Sequence, residues 1–400
     1  MAQKVSDYEE IVGSEVIEGL RGLAEGLQGL SLIHINATKK GGGVAELLRR
    51  LIPLFNDLEI KARWEVLEGT PLFFKTTKSF HNALQGREVE INNKMIEEYK
   101  RVNRKNADRI NLEADVVVIH DPQPAALIED RSPDRWIWRC HIDLSKPDQK
   151  TWEFLYSYVK RYDVAIFSNP EFIKYLPILI FIIPPSIDPL SPKNKKLSSH
   201  EIEKIYEDYQ IPKDKPILLQ VSRFDSFKDP LGVISAYKLV KRERDCRLVL
   251  AGGMASDDPE GAQMLRRVKD EAADDPDIHI LPPPPKEQLS DLEVNALQGG
   301  ADVIIQKSLR EGFALTVTEA LWKAKPVVAS SVGGIKLQVI DGKTGLLASS
   351  IEETAFKIKY LLDNPDIASK LGEAGKEHVR RNFLITRHLR DYLRLISIIA

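Results

Sequence analysis

An α/β fold built as two domains of similar size is what the sequence predicts, and three observations predict it. Short β-branched runs alternate with longer amphipathic stretches, the texture of βαβ units and parallel sheets. That texture breaks at Pro184-Pro185-Ser186-Ile187-Asp188-Pro189 and then restarts. The chain has 400 residues, whereas one ordinary core serves about 150.

In the first half, Ser31-Leu-Ile-His-Ile-Asn36 reads as a strand, and Gly41-Gly42-Gly43 opens a helical run from Val44 to Leu54. Asp115 to His120 is a strand ending at Asp121-Pro122, Arg135 to Cys140 a third ending at His141, and Asp163 to Phe167 a fourth. Ser168-Asn169-Pro170-Glu171 carries the signature of a capped helix start. Leu176 to Ile183 is the most apolar stretch. It is too short to cross a membrane and contains Pro177, so it reads as a buried strand. The prolines between 184 and 192, followed by Lys193, Lys195 and Lys196, mark a linker.

The pattern resumes with the strand Ile217 to Val221, the helix Pro230 to Arg242, and the strand Arg247 to Ala251, which ends in Gly252-Gly253. Ile278 to Leu281 is a strand before the proline run 282–285, and Ala301 to Ile305 is another. Leu315 to Ala324 is helical and Pro326 to Ala329 a strand. Asp341-Gly342-Lys343-Thr344-Gly345 turns into the short strand Leu346 to Ala348, and the last fifty residues are helical.

Composition removes several function classes. Fifty-seven Lys and Arg face fifty-nine Asp and Glu, without the basic excess of a dedicated nucleic-acid binder. Two cysteines, Cys140 and Cys246, exclude a disulfide scaffold or a Cys-rich zinc module and suit a reducing interior. The start is polar and acidic (Ser6, Asp7, Glu9, Glu10), unlike a signal peptide. A soluble cytoplasmic protein without a membrane span is expected.

Ligands of open α/β sheets bind beyond the carboxyl ends of the strands. The polar residues just after strands are therefore the candidates: His120 and Asp121, His141 and Asp143, Arg223, Gly252, Glu311 and Gly333. The Gly41–Gly43 run suits close backbone approach to a phosphate at a helix start; without G-x-G-x-x-G it is also simply a permissive loop. Arg223 and Lys228 suit a diphosphate, the first by its fork and the second as a point charge. Their other reading is surface charge paired with Asp225 and Asp229. The segment Glu311-Gly312-Phe313-Ala314 through Glu319 is the most informative. A glycine turn leads into a helix whose free amides suit phosphate, with a carboxylate on either side to accept from sugar hydroxyls. His141 with Asp143 and Asp121 suits a general base or hydrogen bonding to a sugar. No Ser or Cys nucleophile motif accompanies them, and Cys140 reads as a buried thiol. Asp257-Asp258 and Asp274-Asp275 read as solvated loops rather than metal ligands, and His378 and His388 as exposed or capping residues.

Arg223, Lys228, Glu311 and Glu319, with Gly312 behind the first Glu, in the second of two α/β halves, resemble the retaining GT-B glycosyltransferases of family GT4, the glycogen synthase and sucrose synthase kind. Gly41-Gly-Gly-Val-Ala-Glu46, His120-Asp-Pro-Gln-Pro124, Cys140-His-Ile-Asp-Leu-Ser145 and Pro184-Pro-Ser-Ile-Asp-Pro-Leu190 are similar to the glycosyltransferring trehalose synthases of archaea. The resemblance runs over nearly the whole chain.

It implies two Rossmann-like parallel-sheet domains facing across a cleft: an acceptor-side domain over 1–188 and a nucleotide-sugar domain over 189–379. The last helix crosses back, so that 380–400 packs on the first domain. It implies transfer of glucose from ADP- or UDP-glucose to free glucose with retention of the α configuration and with no metal or other cofactor. The leaving phosphate accepts the acceptor's proton. By the same resemblance Arg223 and Lys228 hold the donor diphosphate, with amides at Ala314, Leu315 and Thr316. Glu319 takes the ribose hydroxyls, Glu311 the transferred glucose near O3, and His141 its O6 side. Gly42 and Gly43 line the donor pocket, and Asp121, Gln123 and Asp143 the sugar and acceptor side. The base lies near Ile280-Leu281.

The implied partners are small molecules, with no nucleic acid, and the implied assembly is a homodimer. Ala314 departs from the pattern, since many relatives carry Gly there. The apolar end Ile396-Ser-Ile-Ile-Ala400 either packs on the first half or marks a truncation. Competing readings keep the chemistry but change the acceptor to sucrose, glycogen or a lipid-linked sugar, use phosphate itself as a phosphorylase does, or have the lobes bind sugar or nucleotide without turnover.

Overall fold

The computed structural model describes residues 3–39, 42–131, 134–253, 259–273, 275–282 and 288–400. Gly41, Asp257, Asp258, Asp274 and the prolines 283–285 lie outside them. The chain forms two compact units: Met1–Ser186 together with Ile385–Ala400, and Ile187–Leu384.

Unit 1 holds the strands β1 (Ser31–Asn36), β2 (Lys61–Val66), β3 (Val116–His120), β4 (Arg135–Arg139), β5 (Val164–Phe167) and β6 (Leu179–Ile182). They form one parallel sheet in the order β2-β1-β3-β4-β5-β6. Central strands such as VVVIH of β3 are buried throughout, as expected when helices cover both faces of a parallel sheet. Side chains alternate across the sheet. Ile33, Ile35, Val117, Ile119, Trp136 and Trp138 go to one face and join Phe73, Phe80, Tyr99 and Tyr158 in an aromatic-rich core. His34, His120 and Arg139 have the opposite parity and are also buried. The last helix, Ile385–Ile399, belongs to this unit, and its Tyr392 ring lies 5.7 Å from that of His34.

Unit 2 holds β7 (Ile217–Val221), β8 (Arg247–Ala251), β9 (Ile278–Leu281), β10 (Val303–Gln306), β11 (Val327–Ser330) and β12 (Leu346–Ala348). The order is β12-β11-β10-β7-β8-β9, again parallel. Read from β9, this is the doubly wound dinucleotide-type order, whose direction reverses between β7 and β10. In unit 1 the reversal lies between β1 and β3. Two Rossmann-like parallel sheets are therefore borne out.

Several local expectations are corrected. Lys61–Val66 is a strand that sequence reading passes over, because Lys61, Arg63 and Glu65 interrupt its apolar residues and it lies at the sheet edge. The capped start at Ser168–Glu171 leads only into a three-residue 3₁₀ turn, Pro170–Phe172, even though Asn169 Oδ1 accepts from the Glu171 amide at 3.0 Å. The strand read as buried over Leu176–Ile183 shortens to β6, an edge strand with Leu179 exposed. His388 is fully buried, and its Nδ1 lies 3.1 Å from the Pro184 carbonyl. The apolar chain end packs in unit 1: Leu389, Leu393, Ile396 and Ile399 are buried, and Arg135 Nε donates to the Ile399 carbonyl at 2.9 Å. Among the described residues no helix is long and apolar enough to cross a membrane.

Candidate functional site

In unit 2 the polar residues gather where the sheet order reverses. Lys228 follows β7 through a short 3₁₀ turn, Ser226–Lys228, begun by Asp225, whose Oδ1 accepts from the Phe227 amide at 2.8 Å. Glu311 follows β10. The two meet: Lys228 Nζ donates to Glu311 Oε2, with side chains 19% and 10% exposed. Buried amides hold both. Gln220 Nε2 donates to the Lys228 carbonyl at 2.8 Å. Gln306 Nε2 donates to Ser308 Oγ at 2.9 Å, and Ser308 Oγ donates to Glu311 Oε2 at 3.2 Å. Asp229 caps the helix Pro230–Lys241 and pairs with Lys307, so it is not the partner of Lys228. Arg223 stands apart, 62% exposed and 3.6 Å from Asp225, as the surface-charge reading allowed for that residue alone.

The turn after Glu311 is built around Ala314, whose φ of +70° is left-handed. A Cβ is disfavoured there and glycine is not, which gives the departure at this position a physical meaning. From Ala314 the helix Leu315–Trp322 runs with its first amides outside the intrahelical ladder. Thr316 Oγ1 donates to Gln306 Oε1 at 3.2 Å, and Gln298 Nε2 donates to the Thr316 carbonyl at 3.1 Å. Buried Gln338 ties the turn to the helix: its Nε2 donates to the Phe313 carbonyl, and its Oε1 accepts from Thr318 Oγ1 at 2.5 Å.

Glu319, one turn in, is buried, with Oε1 3.9 Å from Lys193 Nζ. Lys193 comes from the stretch read as a linker, which is in fact packed: Ser191 and Asn194 are buried. Lys323 also reaches this cluster, donating to Gln298 Oε1 at 3.0 Å and Asn194 Oδ1 at 3.3 Å. Burial pulls its ammonium down to about 8, against the pull of Glu319. Asp275, read as a solvated loop residue, instead pairs with Lys241 at 2.9 Å.

In unit 1 the candidates follow β1, β3 and β4. Gly42 has a φ of +77° and precedes the helix Gly43–Asp57, whose first residue is Gly43. Asp121 (φ +65°) turns back so that its Oδ1 accepts from the His141 amide at 2.7 Å. Burial pushes its carboxyl up to about 7, opposed by that hydrogen bond and the Arg139 charge. The Gln123 carbonyl accepts from Asn103 Nδ2 at 3.1 Å. Asp143 is buried, and its Oδ1 accepts from the Ser145 amide at 2.8 Å. It belongs to its own loop rather than to His141. His141 Nε2 lies 3.1 Å from His120 Nδ1, and His120 Nε2 lies 2.9 Å from His34 Nδ1. Burial first, then the Arg139 guanidinium, holds His141 well below the usual histidine range. Cys140 is a free, buried thiol pushed up by desolvation, not a nucleophile. Among the described residues no group of three or more His, Cys, Asp or Glu could hold a metal ion.

The structure thus joins Lys228 to Glu311 and Asp121 to His141. It leaves Arg223 on the surface and separates Asp143 from His141. Sequence reading missed Lys193, Gln338 and His34. The first looked like linker charge, and the other two are buried polar residues with no motif around them.

Two family models match the chain: "Trehalose synthase, N-terminal domain" over residues 34–174 and "Glycosyl transferases group 1" over residues 201–378. The trehalose synthases of Thermococcus litoralis and Pyrococcus furiosus are each 47% identical to it over 406 residues, covering 99% of this chain and 97% of theirs. Among solved structures, an α,α-trehalose-phosphate synthase (UDP-forming) from Burkholderia xenovorans, in complex with glucose-6-phosphate, aligns with a TM-score of 0.73. Its sequence identity is 12%, with 92% of this chain and all of that one covered, a likeness of fold.

Proposed function

The chain belongs to the trehalose synthase family of GT-B glycosyltransferases, and from that premise we propose that it transfers glucose from a nucleoside diphosphate glucose to free glucose, retaining the α configuration. The observation that carries the reading at the site is the Lys228–Glu311 pair. A cation beside a carboxylate, where the sheet order reverses, matches the two ends of one sugar phosphate. The ammonium suits the diphosphate, and the carboxylate suits the hydroxyls of the attached glucose.

Cleavage of the bond from sugar to phosphate builds positive charge on the anomeric carbon and negative charge on the departing diphosphate. The buried Gln220 fixes the Lys228 backbone and Glu311 holds its ammonium, so the cation is already in place to stabilise that charge. Arg223, exposed at the start of the same loop, serves the diphosphate as a second cation. The amides at Ala314, Leu315 and Thr316 serve the same phosphates. Glu319 accepts from the ribose hydroxyls, Glu311 from the glucose near O3, and His141 meets its O6 side. Gly42 and Gly43 let the backbone approach the donor, and Asp121, Gln123 and Asp143 line the side where the acceptor enters. The departing phosphate oxygen takes the proton of the attacking hydroxyl, which enters on the face the leaving group vacates.

The residues 1–188 serve the acceptor and 189–379 the nucleotide sugar. We also place the protein in the cytoplasm as a homodimer without a nucleic-acid partner. ADP- or UDP-glucose incubated with glucose should yield the nucleotide and a non-reducing disaccharide. Nucleotide release with no such product would overturn the trehalose assignment, and product formed only with another acceptor would redirect it.

A further inference from the structure

Three histidine rings line up through unit 1. His34 on β1, His120 at the end of β3 and His141 beyond β4 meet edge to edge, with centroids 5.2 and 5.4 Å apart and planes inclined by 29° and 14°. The register explains the row. His34 pairs with Val118, and His120 pairs with Arg139, so each step moves toward the carboxyl edge where His141 emerges. Each contact joins two ring nitrogens, at 2.9 Å and then 3.1 Å. Each must therefore have one proton and one lone pair.

The row can be wired in two directions. In one, protons lie on Nε2 of His141 and His120, and His34 is left with a buried Nε2–H. In the other, all three protons lie on Nδ1, and His34 is left with a bare Nε2 lone pair. His34 is fully buried, and its Nε2 has no protein partner among the described residues. A buried N–H without an acceptor is disfavoured more than a spare acceptor. The neighbouring His388 shows the molecule accepting the second arrangement: its Nδ1 must donate to the Pro184 carbonyl, and its buried Nε2 is likewise bare. The rings stay neutral because burial disfavours the imidazolium and the buried Arg139 guanidinium opposes further positive charge.

We propose that His34 and His120 are positioning residues that hold His141 as its Nδ1–H tautomer, so that His141 meets the sugar as a hydrogen-bond donor and takes no proton during transfer. The last clause rests on the reading that His141 meets the transferred glucose; the tautomer itself does not. A donor suits a sugar oxygen whose own proton is engaged elsewhere, and it leaves the acceptor's proton to the departing phosphate.

The test uses the full-length protein labelled with ¹⁵N-histidine. The ring-nitrogen resonances of His141 are assigned by their loss in His141→Gln. Near neutral pH the wild type should show all three histidines neutral and protonated at Nδ1. His34→Leu, which removes the donor at the far end, should convert His141 to a mixture of tautomers and lower kcat about tenfold, with KM for the nucleotide sugar unchanged. His34→Asn, which keeps an N–H near the former Nδ1, should restore both tautomer and rate. A wild-type His141 protonated at Nε2 overturns the proposal. So does His34→Leu with tautomer and kcat unchanged. The tautomers are read without substrate. Expected resonances together with a wild-type chain that makes no trehalose would therefore overturn the donor role and the functional reading while upholding the wiring.

Discussion

At the scale of single residues, the Lys228–Glu311 pair separates function from packing. Both side chains are largely buried, yet the local structure has bonds that survive removal of either: Gln220 holds the Lys228 backbone carbonyl, and Ser308 holds the Glu311 side chain. Lys228→Ala and Glu311→Gln should each lower turnover by about 10²-fold, the scale of one lost electrostatic contact to a transition state, while the variants remain folded by circular dichroism. Near-wild-type turnover in both would remove these residues from the reaction. Asp121 supports a second prediction, on stability. Its folded carboxyl is raised to about 7, against roughly 3.9 when unfolded. Below both values the group is protonated in either state. Between them the unfolded chain releases a proton that the folded chain keeps, so the contribution of this group to stability falls as pH rises from about 4 to about 7 and levels off above, against the opposite trend of the buried neutral histidines. Asp121→Asn keeps an acceptor for the His141 amide and removes this contribution, so its stability relative to the wild type should rise between pH 4 and pH 7. Parallel denaturant titrations at pH 4 and 7 would read it, and equal slopes in the two proteins would contradict the assignment. The candidates Lys228, Glu311, Asp121 and His141 were legible because each lies in the segment that follows a strand. His34 was not legible, since its role depends on which faces of three strands meet, and that register is not written in any one of them.

At the scale of elements, the loop from Glu311 to Ala314 depends on a neighbour that looks incidental in the sequence. Gly334, after β11, lies so close that a Cβ would fall on the Gly312 carbonyl oxygen and 2.7 Å from Phe313 Cα. Backbone atoms cannot swing aside as a side-chain tip can. Gly334→Ala should therefore push the loop outward, carry Glu311 away from Lys228, and lower both thermal stability and kcat. Wild-type values of both in that variant would show that the loop yields freely. Strands buried on both faces were readable as apolar runs, so β7 and β8 match expectation residue for residue. Edge strands were read unevenly: β9 and β12 match expectation, whereas β2 and β6 do not. β2 alternates charge with apolar side chains because one flank is open, and β6 was overextended because its apolar residues are only partly buried at the margin of the core. The failed helix after Ser168 shows the limit of capping signals: Asn169 does cap, but the chain becomes extended at Ile173, and one turn is all that forms.

At the scale of the whole molecule, the two units differ in how the chain builds them. Unit 2 is one continuous stretch, Ile187–Leu384, whereas unit 1 needs Ile385–Ala400 to return after unit 2 is complete. Resemblance alone implied that return. Nothing near Ile396 names a partner some two hundred or more residues earlier. The returning helix packs on the helices Ser14–Glu25 and Gly43–Asp57 and buries Leu389, Leu393, Ile396 and Ile399 over the face that carries His34. Burying one such side chain contributes about 1.5–3 kcal/mol, so four together rival the net stability of an ordinary domain, about 5–15 kcal/mol. The fragment 187–384 should therefore unfold cooperatively on its own and bind a nucleoside diphosphate by calorimetry. The fragment 1–186 should lack a cooperative transition until a peptide spanning 385–399 is added. A cooperative transition in 1–186 alone would mean that the returning helix only decorates a finished core, and the histidine row beneath it would then have to be secured by the sheet itself.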